Sequence, residues 1–97
     1  MSTITVLRPD EPAPPVASVP LASRAPLPER PVIGVISNGK PLAKELLDAL
    51  ATEISARLGR EVDVERLAKP SAAYVISAQE ADVMAARAHV VISGLGD

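Results

Sequence analysis

Eight of the ten prolines and none of the five glycines fall within residues 1–31. Each proline fixes φ and removes a backbone donor, so a stretch this rich in proline can neither continue a helix nor pair as an inner strand. The foldable part of the chain is thereby reduced to Val32–Asp97, room for one small domain and not for a multidomain enzyme with a large enclosed active site. A domain near this size buries only about 60% of its unfolded surface, so its stability is marginal or depends on a partner. Tyr74 is the only aromatic residue, and the core must therefore be built from Val, Ile, Leu and Ala.

Ten Lys and Arg against twelve Asp and Glu give a net charge of −2 with both signs interspersed. No basic patch for nucleic acid or anionic lipid results. With no cysteine, an intrachain disulfide, a thiolate metal site and a cysteine nucleophile are all excluded within these residues. Met1–Asp10 lacks the basic flank and apolar run of a signal peptide, and prolines interrupt every later candidate span. A cytoplasmic location is the default expectation.

Ile4-Thr5-Val6-Leu7 is a short β-prone run closed by Arg8-Pro9-Asp10. From Ala13 to Arg30 prolines favour extended backbone, so residues 1–31 read as a proline-rich amino-terminal arm and 32–97 as a small α/β domain. Val32-Ile33-Gly34-Val35-Ile36, apolar throughout, predicts a strand buried on both faces and hence a parallel sheet. Pro41 suits the first turn of a helix in which Leu42, Leu46, Leu47, Leu50, Ile54 and Leu58 recur at spacings of three and four until Gly59. Leu46, Leu50 and Ile54 are expected to pack on the sheet, with Glu53 and Arg57 pairing on the solvated side. Val62–Leu67 alternates as a second strand, Ser77-Ala78-Gln79-Glu80 matches a capping box opening a helix to about Ala88, and Val90–Ser93 reads as a third strand.

The order β-α-β-α-β predicts a three-stranded parallel sheet, half of a doubly wound, Rossmann-like fold. In such sheets ligands sit beyond the carboxyl ends of the strands, where the loops Ser37–Pro41, Lys69–Ser71 and Gly94–Asp97 converge. Ser37, Asn38, Gly39, Lys40, Lys69, Ser71, Gly94, Gly96 and Asp97 are the candidate binding residues, suited to a small anionic substrate. Gly39-Lys40 is no phosphate loop, since the upstream glycine and following Ser or Thr are missing and Pro41 donates no amide. His89, the only histidine, falls at the opposite edge, where a structural role is expected. No residue cluster suits a metal, and no cofactor is implied.

Ile33–Pro41, Lys69-Pro70-Ser71-Ala72 and Val90–Asp97 together resemble the UGSC-motif family of cysteine or selenocysteine proteins, in order and in spacing. Leu7-Arg8-Pro9 and Pro20–Arg24 are similar to that family's amino-terminal arm. In that family Gly-Leu-Gly-Asp is followed directly by Cys or selenocysteine, then Gly-Ser-Cys, then a further helix and strand. The resemblance therefore implies thiol or selenol redox or nucleophilic chemistry, with the reactive residue expected directly after Asp97. Because selenocysteine is encoded by a codon ordinarily read as stop, a conceptual translation of such a gene ends at this place. No catalytic residue is then expected in the 97-residue chain, which is expected to be inactive by itself. The competing reading is a small non-catalytic α/β binding module that completes its sheet with a second subunit or a second copy.

Overall fold

The computed structural model describes residues 2–96. Its elements run β1 (Val32–Ser37), α1 (Ala43–Leu58), β2 (Asp63–Ala68), α2 (Ala78–Arg87) and β3 (Val90–Gly94). All strands are parallel, in the order β2-β1-β3, with Val35 opposite Arg66 on one side and Ile92 on the other. The uniformly apolar β1 thus takes the centre, and the strands bearing charge or an exposed valine pair take the edges.

The chain steps to one side of β1 to form β2 and to the other to form β3, so right-handed crossovers put the two helices on opposite faces. Side chains along β1 alternate accordingly. Ile33 and Val35 form a buried cluster with Leu47 and Ala51 of α1, to which Ile54, Val62, Val64 and Ile92 add partly buried surface. Gly34 points the other way, toward α2. A Cβ there would lie 2.5 Å from Met84 Sδ and 3.0 Å from the Ala88 Cβ, so only glycine lets α2 approach this closely. The result is the α/β arrangement of half a doubly wound sheet.

The leucine pattern of α1 misjudges which face is inward. Ala43, Leu47 and Ala51 are the buried residues of the helix, whereas Leu46 and Leu50 remain 46% and 43% exposed. Two alanines one turn to either side of Leu47 let the helix lie close on the sheet, and the buried stripe is centred on them rather than on the largest side chains. Ile54 packs as expected, and Arg57 Nε meets Glu53 Oε1 at 3.0 Å. Pro41 also falls outside the helix. It lies in the turn before Leu42, which caps α1 with φ at 65° and no side-chain hydrogen bond.

Gly59 closes α1 in the left-handed conformation, donating to the Ala56 carbonyl at 3.2 Å. At α2, Ser77 Oγ accepts from the Glu80 N–H at 3.0 Å and Glu80 Oε1 accepts from the Ser77 N–H at 3.0 Å, which completes the expected capping box.

Residues 2–31 contain no helix or strand. Ile4, Val6 and Leu7 are exposed and unpaired by any strand, for an isolated β-prone run of four residues has nothing to offset its ordering cost. The end of this stretch is tied to the amino edge of the sheet. Arg60 donates to the Leu27 and Pro28 carbonyls, and Arg30 pairs with Glu61 and Asp63 at 3.0 and 3.1 Å.

Candidate functional site

A sheet ordered β2-β1-β3 has its topological switch point between β1 and β3, where the chain's two crossovers diverge and where sheets of this kind bind ligands beyond the strand ends. The backbone of this protein joins the loops at that point. Asn38, the first residue after β1, donates its backbone N–H to the Gly94 carbonyl at 2.9 Å. Its side-chain Nδ2 donates to the Leu95 carbonyl, and its Oδ1 accepts from the Lys40 N–H at 3.3 Å. One carboxamide therefore holds the end of β3 and the turn after β1 together.

The β2 loop is joined from the other side. The Lys69 N–H donates to the Ser37 carbonyl at 2.8 Å. Gly39 has φ at 80°, and a Cβ on it would sit 3.2 Å from the Lys69 carbonyl oxygen and 3.6 Å from that of Pro70. Both the left-handed conformation and the close approach require glycine here. Ser37 is 8% exposed, and its Oγ accepts from the Gly39 N–H at 3.3 Å. Asn38, Lys40 and Lys69 are half-buried, while Gly39 is exposed.

Of the expected site residues, Ser37, Asn38, Gly39, Lys40, Lys69 and Gly94 are thus brought to one edge. Ser37 and Asn38 act there chiefly as structural members, since their polar atoms are engaged with backbone groups. Ser71 stands further along the β2 loop, where its Oγ accepts from the Ala73 N–H at 3.2 Å and its carbonyl accepts from the Tyr74 N–H, a turn role. Gly96 is exposed with open space around it, and Asp97 lies outside the described residues. Leu95 and Pro70 fall within the expected loops but are not among the expected binding residues, since they contribute only carbonyl groups. Every residue carries a carbonyl, so side-chain chemistry does not single them out.

His89 stands at the far edge. Its Nδ1 accepts from the Val32 N–H at 3.0 Å while its own N–H donates to the Val32 carbonyl at 2.8 Å. It fastens β3 to the start of β1, and no histidine base stands near Ser37 or Ser93. Among the described residues no group of His, Asp and Glu side chains is placed to hold a metal, no buried side-chain polar atom lacks a partner, and no helix is long and apolar enough to cross a membrane.

A model of the UGSC family matches residues 5–97. The chain belongs to the UGSC family. The match begins within the amino-terminal stretch and runs through all three strands and the loops that follow them. No curated protein and no solved structure shows significant similarity to this UGSC-family chain. Its candidate site is therefore read from its own geometry: the β1 and β2 loops joined by backbone hydrogen bonds, beside which Asn38 holds the Gly94 and Leu95 carbonyls.

Proposed function

We propose that this UGSC-family chain forms the binding half of a thiol- or selenol-based redox or nucleophilic site, with the reactive Cys or selenocysteine directly following Asp97. Under this reading residues 1–31 are an arm, 32–97 are the first part of a cytoplasmic α/β domain, and the selenocysteine codon is one otherwise translated as stop. The single observation that carries it is the double hydrogen bond from Asn38 to the Gly94 and Leu95 carbonyls, which aims the end of β3 at the switch point. A residue placed just beyond that loop, at the amino end of a following helix, has its anion stabilised by free amides and by the helix dipole. That raises the fraction of reactive anion near neutral pH. A cysteine three positions further on is suited to resolve whatever the first one forms.

Lys40 and Lys69, on the two loops packed against each other, give the floor positive character and favour a small anionic substrate. Asn38 and Ser37 keep those loops in register, and the open backbone at Gly96 allows substrate to approach. Under this reading the 97-residue chain lacks the Cys or selenocysteine nucleophile and is inactive. The test is the coding DNA after the Asp97 codon. TGA followed in frame by Gly-Ser-Cys codons supports the reading, and a second stop or an unrelated frame overturns it.

A further inference from the structure

The two faces of β2 lead to different surroundings. Arg66 pairs with Asp48 of α1 at 3.0 Å, and Glu65, on the other face, pairs with Arg87 of α2 at 2.8 Å. Side chains alternate along a strand, so Leu67 shares the α2 face with Glu65. There, with Val83 and Met84, it lines an open groove of about 220 Å³ whose rim carries Glu65, Gln79 and Glu80. Both carboxylates are already engaged, Glu65 with Arg87 and Glu80 with the Ser77 N–H. Met84 is buried and Val83 is 43% exposed, so the groove has a packed floor and an accessible wall.

One end of this groove reaches the candidate site. The Lys69 N–H donates to the Ser37 carbonyl just as the Asp63 N–H donates to that of Pro31, so the β2 ladder runs on through Lys69. Alternation then puts Lys69 on the same face as Leu67, about 7 Å further toward the carboxyl edge. A half-buried lysine therefore stands at the site end of an apolar groove. A helix and strand following β3 would extend the sheet from β3, the opposite edge, by another right-handed crossover. They would lie on the β3 side of α2, and this groove lies on its β2 side.

We infer that the groove takes the apolar part of the substrate, a short alkyl chain or a ring, while an anionic head lies at Lys69. The inference deepens the proposed function and rests on it for the anionic head, and it names the substrate class as small alkyl or aryl carboxylates. Charge selects the head position, because Arg66 and Arg87 are each occupied by a carboxylate and Lys69 is the cation at the site end. Size selects the tail: an apolar protein cavity of about 150 Å³ holds benzene, so this groove accepts a ring or a chain of a few methylenes. Leu67, Val83 and Met84 supply apolar contact along it.

The test titrates hexanoate into protein carrying isotope-labelled methionine methyls and follows Met84 by NMR, with Met1, the other methionine, as internal reference. Hexanoate is expected to shift the Met84 methyl and to bind at least about tenfold more tightly than acetate, which has the head without the chain. Hexanol, which has the chain without the charged head, is expected to bind severalfold more weakly than hexanoate. Lys69→Gln should remove the difference between hexanoate and hexanol, and Val83→Asp should reduce hexanoate to the level of acetate. The wild-type comparison of the three probes needs no variant to fold. A Met84 methyl that does not move, hexanoate no tighter than acetate, or hexanol equal to hexanoate each overturns the inference. Where the coding DNA continues past Asp97, the same titration is run on the extended product and that result decides. A coding sequence without Gly-Ser-Cys codons overturns the proposed chemistry but leaves the Met84 titration to be read by itself, so the two failures are distinguishable.

Discussion

The two helices are held by opposite means. α1 is well packed and poorly capped: Ala43, Leu47 and Ala51 are buried, yet its cap is Leu42 in a left-handed conformation with no side-chain hydrogen bond. α2 is thinly packed and well capped, with Met84 its one buried residue and a complete capping box from Ser77 and Glu80. A helix can be secured by its face or by its end, and this chain divides the two between its helices. The poorly capped terminus follows directly on the stapled loop Ser37–Lys40, where the Ser37 and Asn38 side chains bond to backbone groups of the loop and of Leu95 rather than to the helix.

Substitutions can break that contrast in order of expected size. Leu47→Ala should be the most damaging, at about 2–5 kcal/mol, because it opens a cavity against Ile33 and Val35 in a core of few residues; thermal or urea unfolding measures it, and a loss below that of the α2 substitutions would refute the ranking. Gly34→Ala should cost about 1–3 kcal/mol through overpacking against Met84 and Ala88. Met84→Ala in the same chain should recover part of that loss, which a double-mutant cycle would show as a non-additive, favourable coupling. Ser77→Ala should cost about 1 kcal/mol by removing the cap that α2 relies on. Leu42→Gly is expected to have the opposite sign, stabilising by up to about 1 kcal/mol as the left-handed strain is relieved. A destabilising Leu42→Gly would mean that the exposed leucine makes contacts worth more than its backbone strain.

Much of this was legible from residue pattern. The apolar run at Val32–Ile36 announced a central parallel strand, Gly59 the end of α1, and Ser77 with Glu80 the start of α2, because each rests on local chemistry that tertiary context did not override. The convergence of the three loops followed from topology alone. The inward face of α1 was misread because counting large apolar residues weights Leu46 and Leu50 above Ala43 and Ala51, although close helix–sheet contact favours the small ones. The left-handed Leu42 was invisible because leucine is normally excluded from that region. The role of Asn38 was half legible: its polarity marked it as a site residue, but its partners are the Gly94 and Leu95 carbonyls, which carry no side-chain signature.

The central claim is that the stapled end of β3 presents an activated thiol or selenol, and alkylation measures this directly. A product extended through Cys or selenocysteine-Gly-Ser-Cys is titrated with iodoacetamide across pH beside the same product carrying Asn38→Ala. To separate activation by the site from the acidity intrinsic to a selenol, the first motif residue is made as cysteine in both. The account predicts alkylation of that cysteine with an apparent pKa well below the ordinary thiol value of about 8.5, moving back toward that value when the Asn38 staple is removed. A cysteine that titrates like a free thiol in the unsubstituted product would contradict it.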